Sequence, residues 1–188
     1  VNGGHLDPEN IGPRMLFLSR GESRRWMNPE TIALLRRAEE TGFQVPLDDD
    51  GPATGDVAAR GIPIGLLHAV GSFDPDALRR DAEIVTRLSH GSPRAISATT
   101  AVAFLVQLAA RRSVPRDHWA DEAARFTGAG AVADLLQRAA TVRADDAPVL
   151  NAIEAIGSGS DAADVVASAC LAAMAASTFE EAVIAAVN

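Results

Sequence analysis

The feature that most limits what this chain can fold into is the run from Ser92-Pro93 to Arg112. Ile96, Val102, Phe104, Leu105, Val106 and Leu108 make it apolar nearly all round a helix. A helix with so little polar face must be surrounded, so it belongs at the centre of a bundle, and the rest of the chain has to supply the helices that cover it. The other helix starts are spelled out in the same way. Asp7-Pro8-Glu9, Asn28-Pro29-Glu30 and Asp74-Pro75-Asp76 each put a capping side chain before a proline at the first helical position. The first helix should end at Gly21, the second should lead toward Gly42, and the third, with Leu78, Ala82, Val85 and Leu88 on one face, should end near Gly91. Further helices are expected over Pro115 to Phe126, Ala131 to Val142, Ala147 to Ile156 and Asp161 to Ala176. Thr178-Phe179-Glu180-Glu181 reads as the capping box of a last one.

Composition agrees with this periodicity: Ala-rich runs, 47% hydrophobic residues, no Tyr and few β-branched clusters favour packed helices over strands. The expected fold class is all-α, a compact multi-helix bundle, with residues 1–188 forming a single helical domain. Gly157-Ser158-Gly159-Ser160 is too short for a linker and reads as a pause between helices.

Asp and Glu total 25 against 17 Lys and Arg, a net charge of -8, and the basic residues come in short scattered pairs. Salt-dependent binding to a nucleic-acid backbone is therefore not expected, whereas a single anionic ligand can still be met by local N–H groups and one Arg. Arg24, Arg25 and Trp26 read as a surface loop, with the flank of a pocket as the alternative. The one cysteine, Cys170, lies in an apolar Ala-rich segment with no cation beside it, which points to a buried structural thiol and a reducing, cytoplasmic compartment. No secretion signal is read at the N-terminus, and Ala101 to Ala110 is judged too short, and too flanked by Arg and Ser, to span a bilayer.

Chemistry is expected around Asp48 to His68, where a loop rich in Gly and Pro turns into an apolar segment. Gly51, Pro52, Thr54 and Gly55 leave backbone N–H groups uncovered, and Asp56 is placed to cap the helix that Val57, Ile62, Ile64, Leu66 and Leu67 continue. A loop aimed at a helix N-terminus can meet a phosphate with main-chain donors. Asp48-Asp49-Asp50 and Asp145-Asp146 read as solvated loops, because consecutive side chains diverge; a hard-cation site is the alternative. His90, before Gly91, is expected at a helix C-terminus on the lip of a loop, as a charge partner for the dipole or as a ligand group.

The segment GPATGDVAARGIPIGLLHA, followed by RLSHGSP at Arg87 to Pro93, resembles the central part of the ADP-ribosylglycohydrolase family. The similarity spans most of the chain. That resemblance implies a helical, mostly metal-dependent hydrolase that removes ADP-ribose from modified proteins or small molecules. It implies that Gly51, Pro52, Ala53, Thr54, Gly55 and Asp56 wrap the ribose and diphosphate, and that His90 lines the pocket by hydrogen bonding or shape. Arg60 matches the Arg of the family's Ala-Met-Arg element, although Ala59 stands where Met is usual; whether it touches ligand or braces the loop is left open. The family's Mg²⁺ ligands come from a Thr-Asp-Asp motif upstream and an Asp-x-Asp-Thr motif downstream, and neither occurs here. The resemblance thus implies an internal fragment of an ADP-ribosyl hydrolase with its metal ligands outside this chain, and no catalytic residue is assigned within it. A non-catalytic ADP-ribose-binding or protein-interaction helical module is the alternative.

Overall fold

The proline-marked starts form as their chemistry demands. In the computed structural model, which describes residues 6–43, 50–144, 148–157 and 159–187, the Asp7 carboxylate accepts from Glu9 N and starts α1 (Pro8–Arg20). A 3₁₀ turn (Glu22–Trp26) leads to Asn28, whose side chain accepts from Glu30 N at the head of α2 (Pro29–Glu40). After the loop at Asp50 come two short helices, α3 (Gly55–Ala58) and α4 (Gly61–His68). Asp74 caps α5 (Pro75–Arg87), and Ser92, accepting from Ala95 N, caps α6 (Pro93–Arg111).

A 3₁₀ turn (Arg116–His118) then replaces the first part of the helix expected from Pro115 and feeds α7 (Trp119–Thr127), followed by α8 (Ala131–Ala144). Next come α9 (Val149–Ile156), α10 (Ala162–Ala175), capped by Asp161, and α11 (Phe179–Val187). The expected box at α11 is complete: Glu181 N donates to Thr178 Oγ1, and Glu181 Oε2 accepts from Thr178 N. Among the described residues there is no strand, only an isolated bridge between Thr54 and Asp161.

As the run from Ser92 requires, α6 lies at the centre, packed by α3, α4, α5, α7, α8 and α10. Ala95, Ala98, Ala101, Phe104 and Leu108 join Leu136, Val166 and Leu171 in the main core. Phe104 and Phe126 stack with centroids 3.9 Å apart, and Phe73 closes the cluster at 6.0 and 6.3 Å. The expectation drawn from Ala101 to Ala110 is corrected here. α6 has 19 residues at a mean hydropathy of 1.2 and is long and apolar enough to cross a membrane; half of that window is buried inside the fold, as for a core helix. Cys170 is buried as expected, and burial pushes its thiol up to about 12.

Candidate functional site

The loop singled out in the sequence forms one wall of a cleft of about 620 Å³. Asp50, Gly51, Pro52, Ala53 and Thr54 face the beginnings of three longer helices: Glu30 of α2, Ser92 to Arg94 of α6, and Ser160-Asp161 before α10. Two main-chain bonds hold the wall in place, from Gly55 N to the Ser160 carbonyl (2.9 Å) and from Ala162 N to the Ala53 carbonyl (2.8 Å). Ser92 Oγ adds a bond to the Pro52 carbonyl (3.3 Å), and Arg94 pairs with Asp161 at 2.8 Å across the floor. Helix N-termini concentrate partial positive charge, while Glu30, Asp50 and Asp161 oppose it, leaving Arg94 as the full positive charge on the lining.

Several expectations about this loop are corrected. One helix from Asp56 to His68 was expected, but the chain turns at Ala59-Arg60 and makes α3 and α4 instead. Asp56 is not a cap, because Thr54 holds that position and makes no side-chain cap bond. Gly55 does not offer a free N–H, since Ser160 takes it. Its missing Cβ serves close packing, as a methyl there would meet Val165 Cγ2 at 2.7 Å.

His90 is not on the lip of a loop. It lies beyond the end of α5 and is 1% exposed, next to a stretch that Arg60 ties down: the Arg60 guanidinium donates to the Val85 carbonyl (2.9 Å) and to Ser89 Oγ (2.6 Å). Arg60 thus spends its donors on the C-terminal turn of α5 and the residues after it rather than on the Gly51 to Gly55 loop. Burial lowers its pKa to about 10, with Asp56 acting in the opposite direction.

What the sequence did bring together is His90 and Thr54, at 2.9 Å between Nε2 and Oγ1. The hydrogens along this row can be assigned from donor counts. Asp56 Oδ1 accepts the Thr54 hydroxyl (2.5 Å) and the Thr31 hydroxyl (3.1 Å). Thr54 Oγ1 has then spent its only proton, so His90 Nε2 must be the donor toward it. The unprotonated Nδ1 accepts from Ser89 Oγ (2.7 Å), which in turn accepts from Arg60. The result is a directed row from guanidinium to carboxylate, Arg60–Ser89–His90–Thr54–Asp56, that a neutral imidazole completes. Burial and the nearby Arg60 charge, only partly offset by Asp56, hold His90 down at about 4.

Gly51, Pro52, Ala53 and Thr54 therefore line the cleft, whereas Gly55, Asp56, Arg60 and His90 do not; they lie beside or behind it and hold Thr54. Glu30, Thr31, Arg94, Ser160 and Asp161 were not foreseen, although Asn28-Pro29-Glu30, Ser92-Pro93 and Asp161 had all been read as helix starts. Asp48-Asp49 and Asp145-Asp146 lie outside the described residues. Among the described residues no three His, Cys, Asp or Glu side chains gather as a metal cluster.

In comparison with known proteins, the sequence model of the ADP-ribosylglycohydrolase family matches residues 2–188. No curated protein and no solved structure gave a match.

Proposed function

We propose a function from one premise: the chain belongs to the ADP-ribosylglycohydrolase family. Its cleft takes ADP-ribose, free or attached to a modified side chain or small molecule, with the diphosphate against Gly51 to Thr54 and near Arg94. The observation that carries this reading is the convergence of three helix beginnings, those of α2, α6 and α10, on the loop that the sequence singles out. Such ends attract anions, and small residues let a diphosphate approach the backbone. His90, neutral and fully hydrogen-bonded, has no free lone pair for a general base; its work is to hold the Thr54 hydroxyl in the wall.

Hydrolysis of the ribosyl bond by Mg²⁺-activated water is the family reading, and in this proposal its carboxylate ligands come from outside this chain. The donor set among the described residues does not fit a resident ion, so no step is derived through one. The same observation favours a second reading, a non-catalytic ADP-ribose-binding module. A cytoplasmic setting belongs to the same proposal.

Calorimetry tests it. ADP-ribose should bind the chain saturably, with the same affinity when Mg²⁺ is added, and Arg94→Glu should weaken binding by about tenfold or more. An absence of ADP-ribose binding with and without Mg²⁺ overturns both readings, and release of ADP-ribose from a modified protein by this chain alone overturns the second.

A further inference from the structure

Beside the first turn of α2, the 3₁₀ turn Glu22–Trp26 flanks a second groove of about 680 Å³, lined by Glu22, Arg24, Arg25, Met27, Ile32 and Arg36 among others. In a chain of net charge -8, this is a place where guanidinium groups outnumber carboxylates. Arg25 lies 5.1 Å over the Trp26 ring and 3.9 Å from Glu22. The guanidinium groups of Arg24 and Arg36 have no partner among the described residues. Trp26 itself is 80% exposed, which is unusual for so large an apolar ring. Trp and Arg together are the residue types that carry most of the energy at protein contacts.

We propose that this groove docks an acidic polypeptide segment, and that the partner is the protein bearing the ADP-ribose that enters the neighbouring cleft. Only the identity of the partner rests on the ADP-ribose reading of the cleft; the dock does not. The two sites share α2, with Glu30 lining the cleft and Pro29, Ala33 and Arg36 lining the groove. Adjacent residues, Glu30 and Pro29, line one site each, so one polypeptide can reach both. An acidic peptide fits better than a nucleic acid because the groove gathers only three guanidinium groups, enough for a short acidic segment, and the net negative charge of the whole chain repels a long polyanion. Met27 and Ile32 supply an apolar floor for a side chain between the acids.

The test uses the full chain and a short fluorescent peptide of Asp and Glu residues with one central leucine, followed by anisotropy. Saturable binding that weakens at high salt is expected, with a loss of about tenfold or more in the Arg24→Glu/Arg36→Glu double variant. Both substitutions are on exposed side chains, so melting temperatures and ADP-ribose affinity should be unchanged. Equal binding by the double variant overturns the proposal. So does an oligouridylate of equal charge that competes more strongly than the peptide, or a dimer of this chain that the double variant dissociates. If the peptide binds and ADP-ribose does not, the dock stands and the cleft reading falls. Finally, an acidic peptide carrying ADP-ribose should bind more tightly than either part alone, and failure to do so overturns the partner's identity.

Discussion

His90 shows how much of a site can be placed by sequence and how its role can still be misjudged. Its nearness to Thr54 was legible because both residues sit in segments that resemble one family's pocket. Its burial was not, because it goes with contacts between distant segments, among them those of Arg60 with Val85 and Ser89. The row of hydrogen bonds makes a definite prediction. Thr54→Val keeps the shape but leaves His90 Nε2–H unpaired in the interior, which should cost about 1–3 kcal/mol in urea unfolding. Thr54→Ser, which restores the hydroxyl, should recover most of the loss.

The same imidazole should report on pH. Its folded value of about 4 lies below the ordinary 6.5, so the unfolded chain binds the extra proton between these limits. The contribution is present in full above about pH 6.5 and declines as pH falls toward 4, by a total on the order of 3 kcal/mol. Urea titrations at pH 7 and pH 4.5 should show a smaller drop for His90→Phe than for the parent chain; an equal drop would mean that other groups carry it.

Among the elements, the starts were the readable part. Asp7, Asn28, Asp74, Ser92, Asp161 and Thr178 all cap the helices they were expected to begin, because a cap is a local bargain between one side chain and the next turn. The division of the predicted helix after Asp56 was not readable, since it arises from contact with another helix. Gly61 and Gly65 lie one turn apart on α4 and face the backbone of α6; a Cβ at Gly61 would come within 2.7 Å of Ala103 N, and one at Gly65 within 2.7 Å of Val106 Cβ. Gly65→Ala should therefore push α4 off the central helix and destabilise the chain by roughly 1–3 kcal/mol in spite of alanine's better helix propensity. A melting temperature at or above that of the parent would show that the two helices can separate without cost.

For the whole molecule, the sequence expectation was that the chain supplies the cover of its central helix. That helix is packed by six others, and exposed apolar residues gather elsewhere on two faces: Ile62, Leu66, Leu67 and Val70 in and just after α4, and Phe179, Val183, Ile184 and Val187 along α11. Exposure of two such faces forfeits roughly 25 cal/mol per Å² that a partner surface would recover. The isolated chain should melt early for its length and associate with rising concentration in sedimentation runs. A monomer that unfolds cooperatively at high temperature would count against this.

The bridge between Thr54 and Asp161 has a consequence in time. Its two strands of backbone come from opposite halves of the polypeptide, so during translation the first half must wait, with one wall of its cleft already made, until the second has emerged to be stitched to it. A nascent chain arrested before Asp161 would be largely helical and yet lack one wall of this cleft.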